Sequence, residues 1–152
     1  MRDFILLPLV GTDLLPFGTE RYACESRLRT IAEKHPSRSN TDCYFGAALQ
    51  LEFDSDSRLT YLELSRDEAI EPLLNGMAIL SSRVDQVIET LSSKYKLRED
   101  REDREGGHSF VFPEIELSLW REFVPESPGD SDGNVFDTVG IGCKGYYSSN
   151  NA

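Results

Sequence analysis

The chain has 152 residues, and its 39% hydrophobic and 28% charged side chains are typical of a globular protein of one domain. That composition excludes a disordered chain. Sixteen basic against 27 acidic side chains give a formal net charge of −11, which argues against nucleic-acid binding because phosphate recognition needs clustered Lys and Arg. The same charge favours a cationic partner.

The N-terminal apolar run, residues 4–10, does not have the pattern of a signal peptide. Asp3 and Pro8 interrupt the apolar residues around it, and no small-residue cleavage site follows. No stretch approaches the roughly 18 apolar residues of a membrane-spanning helix. The cysteines are odd in number and widely spaced, which favours free thiols in a reducing compartment. They are Cys24, Cys43 and Cys143. We therefore expect a cytoplasmic protein that does not contact a membrane.

Two segments alternate apolar and polar residues as half-buried strands do. The first, residues 44–53, places Leu49, Leu51 and Phe53 on one face; the second, residues 110–119, places Ile115, Leu117 and Leu119 on one face and Glu116 and Ser118 on the other. Each enters an acidic turn and returns as another strand, over residues 58–64 and 134–141. Each half therefore carries a predicted β-hairpin. The second hairpin holds an insertion around residues 122–128, which we predict to be an exposed acidic loop.

A predicted helix precedes each hairpin. Residues 82–91 carry the clearest helical pattern, with Ser82 as its N-cap and Val84, Val87, Ile88 and Leu91 on one face. An earlier helix starts after Thr19 and runs to about Lys34, burying Cys24, Leu28, Ile31 and Ala32. Short apolar runs upstream, residues 4–10 and 73–80, contain Pro or Gly and predict edge strands. The charged linker, residues 98–105, predicts a mobile loop or a frayed helix extension.

These elements predict an α+β fold with the order (β)αββ occurring twice, in residues of about 1–66 and 67–147. A short disordered tail, residues 148–152, follows the second unit. Two antiparallel sheets, or one continuous sheet, would then take both helices on one face.

The motifs associated with catalysis lack their required context. Residues 140–145 spell G-x-G-x-x-G, but too little chain follows for the helix that dinucleotide binding needs. Residues 93–96 match S-x-x-K without its partner motifs. The spacing of His35, His108 and Cys43 fits no metal-ligand pattern, so we predict neither a cofactor nor a metal site.

Pairs of acidic side chains are the remaining candidates for metal-binding or catalytic residues. Asp54, Asp56, Asp130 and Asp132 fit hairpin turns better than calcium loops. Glu114 and Glu116 are two apart on a predicted strand and so would share a face, as a general acid–base pair must. An enzyme using that pair with His108 is the third of our hypotheses, and we do not expect turnover.

Trp120 and Arg121 stand where the second hairpin opens into its insertion, and that pairing is typical of a binding hot spot or of a residue that caps the core. Residues 42–95 sum to −6 and residues 108–152 to −5, counting Lys and Arg against Asp and Glu. If both hairpin turns share one sheet edge, they form an acidic rim that steers a basic protein or simply keeps the surface soluble. The predicted partner-binding set is Trp120, Arg121, Glu122, Glu126, Asp130, Asp132, Asp54 and Asp56.

The duplicated order resembles the fold of the beta-lactamase inhibitor protein and its outer-membrane lipoprotein relatives. This chain lacks a lipobox cysteine and paired disulfide cysteines, so their location and target do not transfer. Its segments also resemble a family of uncharacterised bacterial proteins, and its size and charge resemble those of immunity proteins of toxin systems. The segments that carry the family resemblance are residues 17–18, 49–54, 61–65, 110–114, 117–121 and 141–147.

The leading hypothesis is a non-enzymatic protein-binding module, an immunity-type inhibitor in its most specific form, that holds a basic partner. The alternative is a small-molecule-binding or sensory domain whose ligand lies in a cleft between the two repeats.

Overall fold

A computed structural model describes residues 1–99 and 106–147, which form an α+β fold of two helices and two β-sheets. The predicted tail and most of the charged linker lie outside the described residues. The elements in chain order are β1 (Arg2–Leu7), β2 (Gly11–Thr12), α1 (Arg21–Leu28), β3 (Thr41–Tyr44), β4 (Leu49–Phe53), β5 (Leu59–Ser65), β6 (Ile70–Leu74), β7 (Met77–Ala78), α2 (Val84–Ser92), β8 (Arg98–Glu99), β9 (Ser109–Phe112), β10 (Leu117–Trp120) and β11 (Thr138–Gly142).

The small sheet has the order β2-β1-β6-β7. β1 and β6 are parallel neighbours, with Phe4 opposite Pro72, and the other pairings are antiparallel. The prediction of edge strands in residues 4–10 and 73–80 is therefore wrong for β1 and β6, which are the central strands. The edges are formed instead by β2 and β7, each of two residues after a tight turn. Strands this short leave no periodic pattern in the sequence.

The large sheet is antiparallel throughout, with the order β3-β4-β5-β11-β10-β9-β8. The predicted first hairpin is confirmed as β4 and β5, but its first strand begins at Leu49 rather than at Tyr44, because residues 45–48 form a turn between β3 and β4. The predicted single strand over residues 110–119 is wrong, because Pro113–Ile115 forms a 3-10 turn and Glu116 adopts a left-handed backbone with φ 50°. β9 and β10 therefore pair with each other across that turn. The start of the charged linker is also a strand, β8, rather than a loop.

The first helix is shorter than predicted, and the second is shifted by one residue along the chain. α1 ends at Leu28, whose carbonyl accepts the amides of both Ile31 and Ala32 in a tight turn, and Ile31 is left 39% exposed. α2 begins at Val84 rather than after Ser82, whose hydroxyl donates to the carbonyl of Ala78. The predicted apolar stripe of α2 does face the core, through Val84, Val87 and Leu91.

One hydrophobic cluster joins residues of both sheets and both helices.

Each half of the chain also begins its helix in the same way, because the first helical amide donates to a carbonyl of the following hairpin loop. Arg21 N donates to Ser57 O, and Val84 N donates to Asn134 O, both at 2.9 Å. The tandem repeat itself stays a prediction. Within the described residues, no helix is long and apolar enough to cross a membrane.

Candidate partner-binding site

The predicted insertion, residues 122–128, lies in the loop between β10 and β11, residues 121–137, called the β10–β11 loop below. Its two ends are tied together. Asp137 N donates to Trp120 O at 2.8 Å, and the Asp137 carboxylate accepts Glu122 N at 2.8 Å. Arg66 adds an ion pair to the same carboxylate at 2.7 Å. The loop therefore has a defined shape without a partner, which lowers the entropy cost of binding one.

Arg121 holds the β10–β11 loop in position through hydrogen bonds to backbone carbonyls. Its side chain is nearly buried, at 9% exposure for the residue, and its Nε donates to Gly107 O at 2.6 Å while its Nη1 donates to Gly133 O at 2.7 Å. The guanidinium also lies 5.9 Å from the centre of the Phe110 ring. Arg121 thus connects the β10–β11 loop to the chain before β9, rather than facing a partner.

The outer surface of the β10–β11 loop combines apolar and acidic side chains. Trp120, Phe123 and Val124 are exposed. Residues 122–137 contain no Lys or Arg, and their acidic residues are Glu122, Glu126, Asp130, Asp132 and Asp137. Exposed aromatic and aliphatic groups among carboxylates suit contact with a basic protein surface.

A groove of about 520 Å³ lies between the β10–β11 loop and the first turns of α2. Its charged lining is mixed, with Asp85 and Asp130 beside Arg83 and Arg121, and Arg83 forms an ion pair with Asp85 at 3.3 Å. Its apolar lining comes from Val84, Ile88, Phe110, Val124, Pro125 and Pro128. The groove is large enough for one or two side chains of a partner to enter beside the loop.

The two acidic turns lie at opposite ends of the large sheet. β5 and β11 run antiparallel, so the turn before β5 lies beside the end of β11, whereas the β10–β11 loop lies at its start. Asp54 and Asp56 are therefore separated from Asp130 and Asp132 by about the length of β5, roughly 20 Å for seven residues. The prediction of one shared acidic rim is wrong, because antiparallel pairing of β5 with β11 points the two hairpins in opposite directions.

Both acidic turns have the predicted turn geometry. Asp54 Oδ1 accepts Asp56 N at 2.9 Å, and Asp130 Oδ1 accepts Asp132 N at 2.9 Å. These bonds explain why aspartate stands at each turn. In the part of the chain that the structure describes, no three His, Cys, Asp or Glu side chains are grouped to hold a metal ion.

The residues of the enzyme hypothesis are not brought together as an acid–base pair. The prediction that Glu114 and Glu116 share a strand face is wrong, because the 3-10 turn separates them. Each of the three groups instead bonds to a different backbone segment. The Glu114 carboxylate accepts Lys96 N at 2.9 Å, and the Glu116 carboxylate accepts Gly145 N and Tyr147 N at 3.0 Å each. His108 Nδ1 lies 3.1 Å from Arg121 O.

A tyrosine cluster on the outer face of the large sheet was not predicted from the sequence. Residues 143–147 fold back over this face, where Tyr146 stacks on Tyr61 with ring centres 4.6 Å apart. The Tyr147 hydroxyl donates to Ser118 Oγ at 2.6 Å, and the Tyr146 hydroxyl donates to Glu52 Oε2 at 3.0 Å. Gly140 lies directly beneath Tyr61. A glycine inside a predicted strand was the one available signal of such close contact.

Glu63 lies beside this cluster, and burial followed by the nearby Glu52 charge raises the pKa of its carboxyl above the usual value. A raised folded-state pKa means that the ionised carboxylate destabilises the fold at neutral pH, and that this cost disappears as the pH falls through the folded-state pKa. We expect Glu63→Gln to raise the melting temperature at neutral pH, with a gain that shrinks in acid. Thermal unfolding across pH measures it.

The control for Glu63→Gln is Glu68→Gln, at an exposed position on the turn that follows β5, which should leave the melting temperature unchanged. A gain for Glu63→Gln that stays constant at every pH would contradict this assignment.

Comparison with known proteins identifies no relative. No family model matches the chain, and no match was found among the curated proteins or the solved structures. The resemblances to the beta-lactamase inhibitor protein fold and to the uncharacterised family therefore stay predictions.

Proposed function

We propose that the protein is a non-enzymatic, cytoplasmic protein-binding module that holds a basic partner through Trp120 and the β10–β11 loop. Its most specific form would be an immunity-type inhibitor of a basic toxin. The observation that carries the proposal is that the loop is fixed at its base by Arg121 and Asp137, yet exposes Trp120 and Phe123 among carboxylates. Interfaces gain affinity from aromatic anchors held in place before binding.

The experiment is a pull-down from the native cell lysate with the tagged full chain, at low and at moderate salt, with mass spectrometry of the bound proteins. The proposal predicts one stoichiometric basic protein whose retention falls as salt rises, because salt screens complementary charges. Failure to retain any specific protein at either salt would contradict it.

A ligand-binding function is supported by a second cleft. A cleft of about 590 Å³ lies between the β4–β5 turn and residues 143–146, so it combines residues of both halves of the chain. Glu52, Thr60 and Tyr146 give it hydrogen-bonding groups. A small molecule that binds here would raise the melting temperature in proportion to the logarithm of its concentration, and a thermal-shift screen tests this.

A further inference from the structure

Trp120 and Glu63 lie on the same outer face of the large sheet. The leucines of β10 and β5 that alternate with them are buried in the core, so both side chains face outward. The register places Trp120 opposite Thr138 of β11 and Glu63 opposite Gly140, two residues farther along that strand. Two strand spacings and two residues therefore separate their backbones, a distance of roughly 12 Å.

The surface between these two residues carries hydroxyl groups and no cation. The hydroxyls of Ser65 and Thr138 lie 3.3 Å apart, and the Tyr61 hydroxyl lies over Gly140. The outward-facing residues of β4, β5, β10 and β11 include no Lys or Arg. Hydroxyl oxygens can accept hydrogen bonds from a bound group, but they cannot neutralise a neighbouring carboxylate.

The Glu63 carboxylate is partly buried and has no cationic partner in the free protein. No described residue donates a hydrogen bond to it or forms an ion pair with it. Burial, followed by repulsion from Glu52, raises the pKa of its carboxyl. Glu52 itself is bonded, because its carboxylate accepts the Tyr146 hydroxyl at 3.0 Å. A carboxylate held in such a position at a cost to stability indicates a role outside the free fold.

We infer that Glu63 binds a lysine or arginine side chain of the basic partner, beside the place where Trp120 anchors that partner. The inference rests on the proposed function and extends its site from the β10–β11 loop onto the outer face of the large sheet. A cation here would pair with Glu63 and donate its remaining N–H groups to the nearby hydroxyls. Charge selects this occupant, because Glu63 and Glu52 would repel an anionic ligand or a second copy of this acidic chain.

The test compares wild type, Glu63→Gln and Glu68→Gln for their affinity toward the partner captured in the pull-down. Each variant removes one negative charge, and Glu68 is exposed on the turn that follows β5, so the variants are matched in net charge. We expect at least about tenfold weaker binding for Glu63→Gln and wild-type affinity for Glu68→Gln. Because Glu63→Gln should also raise the melting temperature, unfolding cannot explain its weaker binding.

Salt gives a second measurement of the same contact. Salt screens a partly buried pair less than it screens exposed charges, so the tenfold ratio between wild type and Glu63→Gln should persist at moderate salt. Wild-type affinity of Glu63→Gln, equal weakening of both variants, or a ratio that falls to one at moderate salt would overturn the inference and leave the proposed function standing. Capture of no specific protein would overturn both.

Discussion

Replacing Asp42 with alanine is expected to lower the free energy of unfolding by about 3 kcal/mol. The Asp42 side chain is almost fully buried and accepts two bonds from Arg21, Nε at 3.1 Å and Nη2 at 2.7 Å, and one from the Ser37 hydroxyl at 2.6 Å. Removing the carboxylate loses three hydrogen bonds, two of them from a charged guanidinium, and leaves Arg21 without its buried partner. Denaturant unfolding of the two proteins measures the loss.

The control for Asp42→Ala is Glu33→Ala, at an exposed position whose carboxylate accepts no bond from the described residues, and it should change stability by less than about 0.5 kcal/mol. Equal losses for the two variants would show that the buried pair contributes nothing specific.

The contribution of Asp42 should also depend on pH. Burial opposes its ionisation, but hydrogen bonds from Arg21 and Ser37 outweigh that and hold the pKa of the carboxyl below its usual value. A lowered folded-state pKa stabilises the fold above the unfolded value of about 4, and the contribution is lost as the pH falls through the folded-state pKa. The stability difference between wild type and Asp42→Ala should therefore be full at neutral pH and shrink in acid.

Gly133→Ala is expected to lower the free energy of unfolding by about 2 to 4 kcal/mol, or to displace the β10–β11 loop. Gly133 has φ +81°, and a Cβ there would overlap the backbone carbonyl of Phe123 and press on the Pro125 ring. Its own carbonyl also accepts a bond from Arg121. Because the closest contacts are to the Phe123 backbone, they cannot move aside cheaply. Denaturant unfolding measures the stability.

Gly129→Ala is the matched control, in the same loop. A Cβ at Gly129 meets nothing within 4 Å, and no left-handed φ is required there. Its stability should stay within about 0.5 kcal/mol of wild type. If both variants behave alike, the β10–β11 loop does not have the fixed shape on which the proposed function rests.

Local elements of the fold could be predicted because they depend on short-range patterns. The alternation of Leu49, Leu51 and Phe53 and the helical spacing of Val84, Val87 and Leu91 each identify one buried face. Pro113 should have ended the second predicted strand, since proline cannot donate to a central ladder. The parallel pairing of β1 with β6 depends on contacts about 68 residues apart, as between Arg2 and Ile70, and no local pattern encodes it.

Part of the candidate site could also be predicted from short-range patterns in the sequence. Loop length and composition identified the insertion with Trp120, Glu122, Glu126, Asp130 and Asp132. They could not give strand direction, which places Asp54 and Asp56 at the far end of the large sheet. They also could not show that Arg121 turns inward. The sequence does not indicate whether the side chain of an arginine bonds to buried backbone carbonyls or faces solvent.

The most direct test of the proposed function compares two charge-matched variants for their affinity toward the partner captured in the pull-down. One variant carries Asp130→Asn and Asp132→Asn, and the other carries Asp54→Asn and Asp56→Asn. Each removes two charges, and asparagine keeps the turn oxygen that Asp130 and Asp54 use. We predict about three- to tenfold weaker binding for the first variant and wild-type affinity for the second. Equal weakening of both would show that the β10–β11 loop is not the binding site and that only the total charge matters.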